Sequence, residues 1–232
     1  VIMKKTSFHT YFITFSLLLL SLIISGCAAS RSELQMAYSG EVKRNPSPTP
    51  VSVLFIFSHL YQMEGLDAIP KLESRYKRLR GFDDIFLEAQ RELSNLGKYA
   101  TYVEESSDVN DPAKRDLKDS LMKTMDYTIK MRIESKKNFA NYFLGGLFST
   151  ASLSLIPISY SQNFTVITEV LNSENKFVAR YERKASVSNW SQLFLIFVYP
   201  FHPENRKIEE IYMDFLRDTF RQMESEGVLK KL

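Results

Sequence analysis

Cys27 is the residue of this sequence whose type and surroundings most clearly predict a chemical reaction. It is the only cysteine among 232 residues, and it follows Ser25 and Gly26 at the end of an apolar run, residues 11–24. A thiolate is a nucleophile that can be modified covalently, and a single cysteine has no second cysteine in the chain with which to form a disulfide. We therefore expect Cys27 to be modified covalently. We also expect the folded protein to be stable without a disulfide.

Residues 1–26 have the layout of a secretory signal peptide that is cleaved. Lys4 and Lys5 give it a positive start, and the apolar run that follows is shorter than the roughly 18 to 20 residues that a membrane-spanning helix needs. The motif Ile24-Ser25-Gly26-Cys27 resembles the lipobox of bacterial lipoproteins. That resemblance implies a cut between Gly26 and Cys27, where the small side chains suit the peptidase. It also implies a diacylglyceryl group on the Cys27 sulfur and an acyl chain on its new amine, with no other cofactor.

The residue after Cys27 is Ala28. In the enterobacterial sorting rule, an aspartate at this position retains a lipoprotein in the inner membrane. The resemblance therefore implies an outer-membrane lipoprotein whose domain faces the periplasm, with the inner membrane as the alternative where sorting rules differ.

The charge balance excludes one class of partner. Removal of Lys4 and Lys5 with the signal leaves 30 less 2, or 28, basic residues against 27 acidic ones. A net charge of +1 gives no signature of nucleic-acid binding. The expected partners are the membrane, through the lipid anchor, and an envelope protein or cell-wall polymer.

Candidate catalytic residues are few and complete no motif. The S-x-x-K pattern, in which a lysine can deprotonate a serine, occurs at Ser74 and again at Ser120, without the K-T-G that accompanies it in penicillin-binding enzymes. His59 ends an apolar strand, where α/β folds often place sites, but a lone histidine is more often structural. His59 and His202 lie in no metal-ligand pattern. We expect no catalytic or metal site and no enzyme; an envelope hydrolase is the least favoured alternative.

Two apolar segments are candidates for a membrane or partner contact. Residues 138–168 contain no charged residue and no histidine, and residues 190–201 form a second apolar, aromatic run. Burial within the fold is the favoured interpretation, and membrane insertion or an oligomer interface are the alternatives. The side chains that would make such a contact are Phe139, Phe143, Leu147, Phe148, Trp190, Phe194 and Phe197.

A basic segment, residues 71–80, carries five Lys or Arg residues and one Glu. In a helix, Lys71, Arg75 and Arg78 would share one face and suit anionic lipid headgroups. A solvated helix surface is the more common arrangement for such a pattern.

The periodicity of the chain predicts a single α/β domain, residues 51–232, with α+β as the alternative. Residues 27–50 end in alternating prolines, which favour an extended, flexible tether between anchor and domain. Apolar runs and helical spacing predict a mixed sheet packed with helices. The order is strand, helix, strand, helix, strand, β-hairpin and helix, at residues 51–58, 81–95, 98–104, 111–125, 127–133, 164–187 and 208–223.

This order behind a lipobox resembles the α/β domains of the curli-secretion channel lipoprotein, of the periplasmic activators of peptidoglycan synthases and of the N-terminal domain of TolB. The resemblance covers residues 51–232 and rests on topology, so it transfers no functional residue. It implies a non-catalytic role in binding or assembly in the cell envelope. The alternative is an oligomeric export or pore component in which one of the apolar segments joins the copies.

Overall fold

The computed structural model of the chain describes residues 29–44, 46–73, 79–152, 155–191 and 203–230. It has an α/β fold, as the sequence predicts. The strands are β1 Ala29–Arg31, β2 Val51–Glu64, β3 Lys71–Leu72, β4 Leu96–Val103, β5 Tyr127–Asn138, β6 Ile158–Asn172 and β7 Phe177–Ser191. The α-helices are α1 Phe82–Ala89, α2 Pro112–Thr124, α3 Phe139–Ala151 and α4 Glu204–Glu226.

The strands form one mixed sheet in the order β1-β7-β6-β5-β2-β3, with β4 also paired to β2. β2 runs parallel to β4 and β5, and the other neighbours are antiparallel. Five consecutive side chains of β2, residues 53–57, are at most 2% exposed. Burial on both faces explains the continuous apolar run in this strand, and it confirms the prediction of a central strand.

The main core lies between one face of the sheet and helices α1 and α4. Phe86 of α1 packs against Phe55 and Phe57 of β2, with ring centres 4.9 and 5.2 Å apart. Phe220 of α4 lies 5.8 Å from the Phe55 ring. α4 ends at Gly227, whose φ of 59° is the left-handed conformation that closes many helices.

The opposite face carries a smaller core under α2, formed by Leu54, Ile56, Tyr102 and Met125. Asp111 is the N-cap of α2, and its side chain accepts a hydrogen bond from the Lys114 amide. Farther along this face, neighbouring strands present Lys130, Glu169 and Arg180 in register, none of them buried. The second face of the sheet is therefore apolar beneath α2 and charged where β5, β6 and β7 lie side by side.

Residues 29–44, which we call the N-terminal strap, lie along the domain and do not form the flexible tether that the sequence predicts. β1 pairs with β7, and the Gln35 amide donates to the Lys184 carbonyl at 2.8 Å. Farther on, the Lys43 amide donates to Ser225 Oγ at 3.3 Å. Polar composition concealed this packing, because the edge of a sheet holds a strand through backbone hydrogen bonds that need no apolar side chain.

Candidate functional site

Five chain positions define one end of the sheet, which we call the upper end. β2 and β5 finish there, with Glu64 paired to Asn138, and β6 starts there, with Ile158 paired to Ser191 at the end of β7. The N-terminal strap also starts there, because Ala29 pairs with Asn189.

Helix α3 lies at the upper end because β5 runs into it without a connecting loop. Asn138, the last residue of the strand, accepts a hydrogen bond from the Asn141 amide at 3.0 Å and caps the helix. Gly145 faces the start of β6, where a Cβ atom would lie 3.0 Å from Ile158 Cγ2. The helix is thus held close to β6 by a residue without a side chain.

α3 is apolar but exposed, so the favoured interpretation of residues 138–168 as a buried segment is wrong for the helix. None of its side chains is buried, and Phe143, Leu147 and Phe148 are 52, 53 and 63% exposed. The uncharged stretch divides in two: β6 buries alternate side chains such as Phe164 in the core, while α3 lies against the start of β6 and buries none of its own side chains.

Exposed apolar side chains are concentrated around this helix. Among the described residues, ten of the seventeen exposed large hydrophobic side chains lie at the upper end or in the segments that adjoin it. We call them the apolar end surface, and they are Leu66, Ile69, Tyr142, Phe143, Leu144, Leu147, Phe148, Leu155, Ile156 and Trp190. Single exposed apolar residues are ordinary, whereas a concentration of them at one end of a domain is a candidate contact surface.

Aromatic contacts fix the shape of this surface. The rings of Phe139 and Phe143 stack with their centres 5.6 Å apart, and Tyr142 meets Tyr160 of β6 edge-on at 5.3 Å. Trp190, the only tryptophan in the chain, is 45% exposed. Because Trp190 follows the buried Asn189, it points from the opposite face of β7, so the surface extends around both faces of the sheet end.

The N-terminal strap begins beside the apolar end surface. Ala29 pairs with Asn189 on β7, and Asn189 pairs with Tyr160 on β6. Adjacent strands lie about 4.8 Å apart, so Ala29 is about 10 Å from Tyr160, whose ring contacts α3.

The structure brings together five of the predicted contact residues, Phe139, Phe143, Leu147, Phe148 and Trp190, at the upper end. Phe194 and Phe197 lie outside the described residues, as do Gly26 and Cys27. Sequence reasoning missed Leu66 and Ile69, in the turn after β2. Their signal was two large apolar residues in a segment that also contains Gly65 and Asp67, a composition typical of an exposed turn.

The prediction that Lys71 lies on a basic helical face is wrong. Lys71 is in β3, paired with Tyr61 of β2, because the strand edge offers backbone hydrogen bonds. Its amine lies 2.6 Å from Asp67 Oδ1, and this hydrogen bond lowers the pKa of the Asp67 carboxyl. Arg75 and Arg78 lie outside the described residues.

The nominated catalytic residues are not brought together. His59 is 2% exposed and packs against Phe82 and Tyr212, with ring centres 4.9 and 6.2 Å away. Ser120 is exposed on α2. Ser74 and His202 lie outside the described residues, and no group of three His, Cys, Asp or Glu suited to a metal ion occurs within the described ranges.

The described residues also line clefts away from the apolar end surface. One, of about 490 Å³, lies between the start of α4 and strands β5 and β6; Gln162 donates to Ser135 Oγ there at 2.7 Å. Burial and the negative charge of Glu73 raise the pKa of Tyr212 in its wall. Another, of about 500 Å³, is on the opposite face and includes Glu169 and Arg180, which form an ion pair at 3.7 Å.

In the parts of the chain that the structure describes, no helix combines the length and apolar character needed to cross a membrane. α3 has 13 residues, about 20 Å at 1.5 Å per residue.

No family model matches the chain, and no curated protein matches it. Among solved structures, the chain is similar to the PelC dodecamer from Paraburkholderia phytofirmans, with 8% identity and a TM-score of 0.34 over 85% of this chain and 98% of that one. A variant of the same dodecamer matches with 7% identity and a TM-score of 0.32, over 84% of this chain and 99% of that one. Similarity of this extent does not assign the chain to a family.

Proposed function

We propose that this chain is a lipid-anchored component of the bacterial cell envelope, whose domain binds or helps to assemble a partner without catalysing a reaction. Cys27 carries the lipid, the outer membrane holds it, and the domain faces the periplasm. The partner is an envelope protein or a cell-wall polymer.

One observation carries this proposal: the strap and the apolar end surface meet at the same end of the sheet. β1 starts two residues after the lipobox cysteine and pairs with β7 beside Trp190. A lipid on Cys27 would enter the membrane next to the largest group of exposed apolar side chains in the described residues. The anchor predicted from sequence and the surface found in the structure thus support the same attachment.

The non-catalytic part of the proposal is supported by where the nominated residues lie. His59 is enclosed by aromatic rings in the core, and Ser120 lies on the outer side of α2, away from both clefts. A substrate cannot reach the buried His59, and Ser120, although exposed, lies in neither cleft.

The test of anchoring is metabolic labelling with an alkyne fatty acid in growing cells. Wild type should take up the label and fractionate with the outer membrane. Cys27→Ala should be unlabelled, and Ala28→Asp, a matched change one residue later, should be labelled but shift to the inner membrane. An unlabelled wild type would overturn the proposal.

An oligomeric export component is the second candidate, and the exposure of α3 is the observation that favours it, because a ring of copies could bury this helix. Cross-linking in intact cells, followed by the native mass of the detergent-extracted protein, separates the candidates. A ring of many copies supports export, and one copy with a defined foreign protein supports partner binding.

A further inference from the structure

We propose that the domain rests directly on the bilayer, with α3 and Trp190 seated in the interfacial layer beside the acylated Cys27. This inference rests on the proposed lipid anchor, and it adds the orientation of the domain and a second membrane contact. The domain then lies against the membrane by its upper end and does not stand off on a tether.

The length of chain between anchor and fold sets the first constraint. Only Ala28 separates Cys27 from Ala29, the first residue of β1. At roughly 3.3 to 3.6 Å per extended residue, the two steps from Cys27 to Ala29 span about 7 Å. The interfacial region of a bilayer is of similar thickness, so the upper end must lie at the membrane surface.

Contacts along the strap hold it against the domain, so the connection from Cys27 to the fold stays two residues long. Ala29 is 1% exposed, and Arg31 forms ion pairs with Asp214 and, at 3.3 Å, with Glu210 of α4. Ser32 and Ser186 exchange hydrogen bonds of 2.8 and 2.9 Å. Release of the domain from the surface would require all of these contacts to break, since the strap must detach from β7 before it can extend.

The chemistry of α3 fits an interfacial layer. Its 13 residues contain no charge, so no ion pair must be desolvated when the helix enters the headgroup region. It is too short to span the hydrocarbon core, but it can lie in the plane of the interface, as membrane-surface helices do. Trp190 is of the residue type that favours the membrane boundary, because its ring is apolar and its N–H can bond with water or headgroups.

The position of the surface favours a membrane over a second copy of the chain. Two parts of the surface lie close to the point at which the strap enters the sheet: Trp190 follows Asn189, the partner of Ala29, and α3 contacts Tyr160 on the next strand. A bilayer reached through Cys27 covers this point in every molecule, whereas a second copy would have to fit between the domain and its own anchor.

The test uses tryptophan as a depth probe in the full-length, lipidated protein. The protein is reconstituted into vesicles of phosphatidylethanolamine and phosphatidylglycerol that contain a phosphatidylcholine brominated near the headgroup end of its acyl chains. In the wild-type protein all tryptophan fluorescence comes from Trp190, because it is the only tryptophan. Two single-tryptophan proteins carry Trp190→Phe with either Phe148→Trp or Phe177→Trp. Phe148 and Phe177 are matched controls, because both are 63% exposed but Phe177 begins β7 at the opposite end of the sheet.

Tryptophan at positions 190 and 148 should be quenched by the brominated lipid and emit at shorter wavelength, and tryptophan at 177 should show neither effect. Equal quenching at 148 and 177 would overturn the proposal, because it would mean adsorption without orientation. A shift to shorter wavelength without quenching at 148 would also overturn it, because protein and not lipid would then cover α3. Fatty-acid labelling of the same sample shows whether the anchor is present, so failure of anchoring is distinguishable from failure of seating.

Discussion

Asp218 of α4 accepts a hydrogen bond from Arg183 Nε of β7 at 2.5 Å, which joins the last strand to the last helix. The same carboxylate accepts the backbone amide of Tyr38 at 3.0 Å, so it also holds the N-terminal strap. The Arg183 side chain is only 4% exposed, and Gln222 accepts a further hydrogen bond from it. One acidic side chain therefore connects three parts of the chain.

Asp218→Ala should lower the free energy of unfolding by about 3 to 5 kcal/mol, because it leaves the buried Arg183 without a counter-charge. Urea unfolding followed by circular dichroism measures this loss. Asp214→Ala is the matched control one helical turn away: its pair with Arg31 is more than a third exposed on both sides, so a loss of about 1 kcal/mol or less is expected. Equal losses in the two variants would show that burial of Arg183 does not control the effect.

Phe148→Ser should leave the unfolding free energy within about 0.5 kcal/mol of wild type, because the side chain is 63% exposed. It should also reduce aggregation in the absence of detergent. Phe220→Ser, at a phenylalanine that is 0% exposed, should lose about 3 to 5 kcal/mol. Chemical unfolding and light scattering measure the two effects, and a destabilised Phe148→Ser protein would mean that α3 is part of the cooperative core.

Gly146→Ala should stabilise the protein by about 0.5 to 1 kcal/mol, because alanine favours the helix and the added Cβ would meet no atom within 4 Å beyond its chain neighbours and the backbone of its own helix. Gly145→Ala should gain less or lose stability, because its Cβ would meet Ile158 Cγ2 at 3.0 Å. The difference in thermal midpoint between these neighbouring variants tests the close packing of α3 on β6. Identical midpoints would contradict that packing.

Glu104 gives a pH-dependent prediction. Burial alone would raise its pKa, but hydrogen bonds from Lys118, at 2.8 Å, and from Ser58 outweigh burial and lower the pKa below its ordinary value. A depressed folded-state pKa stabilises the fold above the unfolded-state pKa, and this contribution is lost as the pH falls through the folded-state pKa.

Glu104→Gln should therefore be less stable than wild type by about 1 to 2 kcal/mol at neutral pH, and the difference should disappear as the pH falls below about 4. Denaturant unfolding over a pH series measures it. Glu174→Gln is the control, because Glu174 pairs with Lys176 in the exposed hairpin turn and should matter little at any pH. A Glu104→Gln deficit that persists in acid would exclude the carboxylate as its source.

Periodicity predicted the elements that bury a complete face, such as β2, the β6–β7 hairpin and α4, because burial leaves a regular pattern in the sequence. It did not predict β1 or β3, which are two or three residues long and are held through backbone bonds at the sheet edges. It also misjudged α3. An uncharged run normally indicates burial, and only the structure shows that this helix follows the ends of β2 and β5 and buries none of its side chains.

If Cys27 is anchored as proposed, the antiparallel pairing of β1 with β7 determines how mechanical force would reach the domain. Ala29 is at the upper end and β1 runs from there towards the opposite end of the sheet, so a pull on Cys27 away from the domain would act along both strands. The hydrogen bonds between them are then loaded together in shear and do not open one at a time. The ion pairs from Arg31 to α4 would share that load, so the strap would resist extension.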